Sequence, residues 1–346
     1  MDKQLDCDFY ITYWKNSPFK QMNYDELTNL KKTSQNIKVF GSFYWQKNVL
    51  HTVFKPYKYY ILIGNPFILN TWLFLIFAKI LGKKTYLWTH GWYGNETFLK
   101  RLLKRLFFSL STKILLYGDY ARNLMIEIGF SHQKLICIYN SLDYNYQLKI
   151  REKLKQSTTY FNYFKNEDHV LLYIGRIQKT KKIDLLIDAL DLLNVNGIKC
   201  NLVIIGKDEE DTKIEKHIDK NQSKGRIWLY GACYDEEIIG ELIFNAQLCV
   251  SPGNVGLTAM HSLVYGTPVI THNNFSNQCP EFEAIIDGKT GSFFKEDSAE
   301  DLANKISLWL SKSSEEREVA RKNCHQIINE KYNPQKQIDI LKQEIV

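Results

Sequence analysis

The feature that most limits what this chain can become is its repeated switch between short apolar runs and stretches of helical spacing. Runs rich in Ile, Val, Leu and Tyr stand at 7–14, 37–43, 59–63, 84–89, 113–117 and 134–139, then at 169–174, 201–205, 226–230, 247–251 and 268–271. Strand–helix alternation is the pattern of parallel sheets, because parallel neighbours need a long crossover that a helix supplies. The expected class is therefore α/β. Two sets of strands in 346 residues fit two domains. Between the sets, at 144–168, polar and aromatic residues mix and the alternation pauses. The reading therefore places domains at 1–145 and 146–330, followed by a closing segment at 331–346. Within that segment Pro334 opens a helix through Ile345, since proline is tolerated in a first helical turn.

Hydrophobic residues at 45% and charged residues at 24% supply enough apolar side chain for two cores and exclude a disordered majority. The seven cysteines (Cys7, Cys137, Cys200, Cys233, Cys249, Cys279 and Cys324) are scattered, with no Cys-x-x-Cys pair. That spacing points to reduced thiols in a cytoplasmic protein and away from a zinc site. Residues 1–10 read as charged and then strand-like, not as a signal peptide. The most apolar stretch, 59–81, is interrupted by Gly64, Asn65, Pro66 and Asn70, so it reads as a buried strand, a turn and a buried helix instead of a membrane span. The net charge of +7 favours anionic partners, and nucleic acid, lipid head groups and sugar nucleotides all qualify.

Absent signatures narrow the chemistry. No two glycines stand two residues apart, which removes the dinucleotide fingerprint; a P-loop, a zinc His-Glu-x-x-His and a Gly-x-Ser-x-Gly elbow are also missing. What remains is concentrated in the second half. The run 171–174 leads into Gly175, Arg176 and a basic turn with Lys179, Lys181 and Lys182, followed by helical spacing over 183–193. Arg and Lys at the carboxyl end of a parallel strand sit where open α/β sheets bind ligands, and they suit a diphosphate; a plain solvated turn has the same spacing. Further on, Val250-Ser251-Pro252-Gly253-Asn254-Val255-Gly256-Leu257 ends a strand and opens a helix to about Tyr265. Small residues there let the backbone approach a ligand, and the free amides of a helix start favour phosphate. His261 lies one turn in, where its imidazole points back toward the same ligand. The plainer reading is a tight turn and a packed histidine.

The ordered set Gly175-Arg176-Ile177, Lys181, Asp184-Leu185-Leu186, Ile204-Ile205-Gly206, Gly256-Leu257, Gly266-Thr267-Pro268-Val269-Ile270, Pro280-Glu281 and Asp287-Gly288-Lys289-Thr290-Gly291 resembles the donor half of glycosyltransferase family 4. In the first half, Trp88-Thr89-His90-Gly91 and Ile138-Tyr139-Asn140-Ser141-Leu142-Asp143 are similar to further family segments. The resemblance implies a GT-B fold: two Rossmann-like domains with parallel sheets facing a cleft, the second binding a nucleotide sugar and the first a glycan or lipid-linked acceptor. It implies a retaining transfer with no metal or other cofactor, and a closing helix that crosses back to the first domain. Among catalytic residues it implies His90 beside the sugar, with Arg176 and Lys181 neutralising the departing diphosphate. Donor binding falls to Gly175, Gly206, Asn254, Val255, Gly256, Leu257, Thr258, His261 and Glu281.

Two departures from the family pattern stand out. Relatives carry two glutamates eight positions apart, and here those positions hold Gly253 and His261, with Glu281 the expected substitute. Relatives also open with a strand and glycine loop ahead of the segment that 7–14 resembles, so the first domain is expected to lack its first strand. Separately, Leu99, Leu102, Leu103, Leu106, Phe107 and Leu110 share a helical face flanked by Lys100, Arg101, Lys104 and Arg105. An ordinary domain helix fits that pattern, as does one docked on anionic lipid.

The function expected from the resemblance is assembly of a bacterial surface polysaccharide, capsule or lipopolysaccharide, at the cytoplasmic face of the plasma membrane. Nucleic acid is not expected as a partner, since no binding module is present. The rivals are a catalytically weakened nucleotide-sugar-binding scaffold, motivated by the missing acids, and a nucleotide-sugar epimerase of the same fold.

Overall fold

The computed structural model describes residues 4–15 and 24–345, so the first three residues of the segment read as a non-signal start lie outside it. The chain divides into two compact units, Met1–Ile138 with Gln337–Val346, and Tyr139–Lys336. The first division comes at 138/139, where the sequence reading put it at 145/146. The reason is local: Asn140 bonds Glu281 and Gln147 bonds Glu236, so the segment after 138 is held by the second unit.

In the first unit, β1 (Phe9–Tyr13) pairs in parallel with β2 (Leu30–Phe40), which turns into antiparallel β3 (Phe43–Gln46). The run 37–43 is therefore not one strand of a parallel sheet. Gly41, at φ +51°, sits in the turn that splits it into a hairpin. A separate, wholly parallel sheet follows in chain order: β4 (Tyr59–Ile63), β5 (Lys84–Thr89), β6 (Lys113–Leu116) and β7 (Leu135–Cys137). Its crossovers are α1 (Leu69–Ile80), α2 (Phe98–Leu110) and α3 (Asp119–Glu127). Right-handed crossovers between strands taken in order place all three helices in one layer. The pleat sends alternate residues to opposite faces. Leu87, Ile114 and Leu116 meet Leu75, Phe107, Phe108 and Met125 on the helical side, while Tyr86, Leu115 and Ile136 meet Leu341 on the other. The expectation of a buried helix at the end of the apolar stretch 59–81 needs correction. Phe74, Leu75 and Ala78 are buried, but Leu73, Ile76, Phe77 and Ile80 are exposed, because the sheet covers only one side of α1.

The second unit begins with α4 (Tyr144–Arg151) and α5 (Thr159–Phe164). Its six parallel strands are β8 (His169–Ile174), β9 (Cys200–Ile205), β10 (Ile227–Gly231), β11 (Leu248–Ser251), β12 (Val269–His272) and β13 (Gly291–Phe294). They alternate with α6 (Ile183–Val195), α7 (Ile214–Lys220), α8 (Glu236–Asn245) and α9 (Thr258–Val264), and α10 (Ala299–Leu310) and α11 (Ser314–Glu330) close the unit. Four-residue β13, which opens on a glycine, is the strand of this unit that the sequence runs do not include. One core face joins Leu171, Tyr173, Leu202, Ile204 and Val250 to Leu186, Leu190 and Ile306.

The strand order is β10-β9-β8-β11-β12-β13. The chain starts in the middle, walks outward to β10, returns through α8 and walks the other way from β11. The loops leaving the carboxyl ends of β8 and β11 therefore diverge and open a crevice, which is where doubly wound sheets bind ligands. The last helix, α12 (Pro334–Ile345), runs from the second unit into the first, where Leu341 packs. Among the described residues no helix is long and apolar enough to cross a membrane.

Candidate functional site

At the end of β8 the chain turns through Gly175, at φ +150°, a conformation that side chains rarely adopt. The Tyr173 hydroxyl donates to the Arg176 carbonyl at 2.7 Å and fixes this turn. The Arg176 side chain is half exposed, with a guanidinium nitrogen 3.6 Å from a Glu209 carboxylate oxygen. Gly206, at the end of β9, has a packing reason to be glycine. A Cβ there would fall 1.9 Å from the Gly175 carbonyl oxygen, so the two strand ends could not approach.

The loop after β11 is stitched to the turn after β8. The Gly253 amide donates to the Lys181 carbonyl at 3.1 Å, and the Lys181 ammonium donates to the Asn254 carbonyl. Burial pushes the Lys181 ammonium below the usual lysine range; Cys279 and Glu281 oppose that shift, and the charge of Arg176 reinforces it. Two cations that feel each other's charge, one of them partly buried, gain from an anion between them. Lys182 does not join them. Its ammonium is held by Glu296 at 3.0 Å and Asp297 at 2.6 Å.

Of the three loop amides expected to face a ligand, one is already used. The Val255 amide donates to the Gln278 side-chain oxygen at 2.9 Å. The amides of Gly256 and Leu257 have no acceptor among the described residues. The Thr258 hydroxyl donates to the Ile174 carbonyl at 2.8 Å, tying the start of α9 to the end of β8. The Asn254 side chain reaches Cys279 Sγ at 3.2 Å.

His261 is turned toward the start of α8, where its Nε2 lies 2.9 Å from Glu236 Oε1. The Tyr265 hydroxyl at 2.7 Å and the Gln147 amide at 2.8 Å converge on the same oxygen. Burial works against the Glu236 carboxylate, but these three donors hold its pKa below the usual range. Sequence reasoning missed Glu236. It follows Asp235, the helix cap, and looks like any acid in a first helical turn.

Glu281 is 3% exposed; its Oε1 accepts from Asn140 Nδ2 at 2.7 Å, and its buried Oε2 has no partner among the described residues. Its charge reaches Lys181. In the first unit, exposed His90 follows β5, with its ring 4.8 Å from that of Tyr117 and 6.2 Å from that of Tyr93. At Gly91, φ is +71° and a Cβ would fall 2.5 Å from Leu116 Cδ2, so the turn that presents His90 requires glycine. A cavity of about 800 Å³ in the second unit opens near Val170, Gln247, Gly266 and Pro268, at the amino ends of the strands, and none of the site residues described above lines it.

Residues 157–327 match the family model of glycosyl transferases group 1. An uncharacterized 41.2 kDa protein in the cps region of Klebsiella pneumoniae is 27% identical over 210 residues, covering 58% of this chain and 54% of that protein. The match thus spans about half the length of that relative. Among solved structures, Anabaena HepE in complex with UDP aligns with a TM-score of 0.67 and 15% identity, over 90% of this chain and 84% of its own. The lipopolysaccharide outer core galactosyltransferase WaaB, in its apo form, aligns with a TM-score of 0.65 and 15% identity, over 85% and 76%. Identities this low speak for the fold, which is the α/β GT-B fold that the resemblance implied. The group 1 match falls within the unit that holds the crevice.

Proposed function

We propose that this chain is a retaining glycosyltransferase that moves a sugar from a nucleotide diphosphate donor to a glycan or lipid-linked acceptor in bacterial surface polysaccharide biosynthesis. The observation that carries the proposal is the crevice at the sheet reversal. There Arg176 and a partly buried Lys181 stand near each other, beside the unpaired amides of Gly256 and Leu257. The group 1 match and the UDP complex of HepE support a donor of this class. The cps-region relative and the galactosyltransferase WaaB support the polysaccharide setting.

In the proposed step the acceptor hydroxyl oxygen bonds to the anomeric carbon as the bond from that carbon to the diphosphate oxygen breaks on the same face. The hydroxyl proton passes to the departing phosphate, so no protein nucleophile is required. Arg176 and Lys181 take up the charge that develops on the diphosphate, and no metal is assigned a part. A well-placed donor of this kind is worth about 10²–10³ in rate. His90 is assigned to a sugar hydroxyl or to the acceptor, and Glu281 to the hydroxyls of the donor sugar. A lipid-linked acceptor is met at a membrane, and the basic helix α2 is suited to anionic lipid.

The test is a thermal-shift screen with UDP-, GDP-, ADP- and CMP-sugars and their free diphosphates, for the wild type and Arg176→Ala. A ligand that binds only the folded state at a hundred times its Kd adds about 2.7 kcal/mol of stability. The expected result is a shift with one nucleotide that the variant loses. The absence of a shift with every nucleotide would refute the donor site.

A further inference from the structure

Helices α1 and α2 belong to one layer on one face of the four-stranded sheet, and they pack together through Trp72 and Phe107, whose ring centroids are 5.0 Å apart. Their inner faces enter the core through Leu75, Phe107 and Phe108. Faces opposite the sheet point the same way for two helices of one layer. On α1 that outer face carries Leu73, Ile76, Phe77 and Ile80, spaced as a helical stripe. On α2 it carries Phe98, Leu99, Leu102 and Leu106, of which Phe98 is 79% and Leu99 75% exposed. The apolar face read from the α2 sequence is thus divided, with Leu103 and Phe107 inward and Leu99, Leu102 and Leu106 outward. Large exposed apolar surfaces of this kind mark interaction sites.

The charge on the two helices is of one sign. Neither helix contains an Asp or Glu. Lys79, Lys100, Arg101 and Arg105 are exposed, whereas Lys104 turns inward to the Gly91 carbonyl at 2.8 Å and to Glu96 at 2.6 Å. A second copy of this chain, docked face to face through these helices, would oppose cations to cations with no acid on either helix to meet them. An anionic bilayer supplies both an apolar layer for the stripes and negative head groups for the rim. We infer that the outer faces of α1 and α2 form a single docking surface for an anionic membrane, both helices lying in the interface. The inference deepens the transferase reading by naming where its acceptor is met, and rests on that reading only for this purpose.

The experiment is flotation of the full chain with phosphatidylcholine vesicles, with and without about one-third phosphatidylglycerol. The wild type is expected to float with the anionic vesicles only. Lys100→Ser with Arg105→Ser removes two exposed charges and should weaken partitioning about 30-fold. Leu102→Ser with Leu106→Ser, and separately Ile76→Ser with Ile80→Ser, should each abolish flotation while melting temperatures stay near wild type. No flotation of the wild type, or unchanged flotation of either pair of apolar variants, overturns the two-helix surface. So does a lipid-free dimer that those same substitutions dissociate. The thermal shift with nucleotide diphosphates is expected to survive every variant. If it is absent from a wild type that still floats, the transferase reading fails and the surface stands.

Discussion

Replacing Gly253 with alanine tests how the candidate site is built. The backbone of Gly253 is not among those at positive φ, so conformation alone would admit any residue; what excludes a side chain is space. An added Cβ would stand 2.1 Å from the Thr180 carbonyl oxygen, 2.7 Å from Lys181 Cα and 2.9 Å from Lys181 C, all backbone atoms that no rotamer change can move. Restoring ordinary contact requires the 178–182 turn to recede by more than an ångström. Overpacking of this kind costs about 1–3 kcal/mol, or about 2–12 °C of melting temperature for a unit of this size. The same movement stretches the Gly253 amide bond to the Lys181 carbonyl and draws the Lys181 ammonium from its place. A hydrogen bond to a charged group contributes about 1.5–3 kcal/mol, so affinity for a nucleoside diphosphate should fall about 10- to 150-fold. The assay is paired: melting curves without ligand, then titration calorimetry with the diphosphate that stabilises the wild type. Gly225→Ala, where a Cβ meets nothing within 4 Å, is the control and should change neither. If Gly253→Ala melts and binds like the wild type, the turn is not pinned by this contact and the reasoning is refuted.

Other outcomes follow from buried groups. Glu281→Gln keeps the shape and the bond from Asn140 but removes a negative charge near Lys181. Free diphosphate should bind more tightly, while kcat/KM for transfer falls about 10- to 150-fold; a parallel fall in both would mean that Glu281 serves only the fold. Burial first, then Arg151 and Arg321, push the His325 imidazole down to about 4 from an ordinary 6.5, and its buried Nε2 has no partner among the described residues. As pH falls from about 6.5 toward about 4, the unfolded chain takes up a proton that the folded chain refuses. Stability from this group is therefore complete above pH 6.5 and lost toward pH 4. Melting temperatures of wild type and His325→Gln across that window check it, and equal acid slopes would sink the assignment.

The second unit was largely legible because buried parallel strands are nearly continuous apolar runs. The run at 169–174 coincides with β8, and Gly175 and Arg176 fall at its carboxyl end, where the sheet reverses. The first unit was less legible at its start, since β2 is mostly polar and half solvated, and only its last residues resemble a strand. Helix α1 misled for the opposite reason: apolar content shows that a surface avoids water, not which partner covers it. At the site, spacing located the loops but could not say which amides and cations were already engaged. Val255 is occupied by Gln278, and Lys182 by Glu296 and Asp297; both depend on chain segments far away in sequence.

The same distinction changes what the missing glutamates mean. Read along the sequence, glycine at 253 and histidine at 261 look like losses from a binding site, which is what motivates the reading as a catalytically weakened scaffold. In three dimensions, the position at 253 is filled by the backbone of Thr180 and Lys181, so an acid there is excluded by space. A carboxylate nevertheless stands near Lys181, supplied by Glu281 from beyond β12, and another stands against His261, supplied by Glu236 from α8. The site thus retains two cations and two acids, with the acids carried by different segments. Restoring glutamate at 253 should therefore weaken diphosphate binding, as alanine does, because the larger side chain keeps the same Cβ clash. A Gly253→Glu variant that bound the donor more tightly would show that the backbone of Thr180 and Lys181 does not exclude an acid there, and would return weight to the scaffold reading.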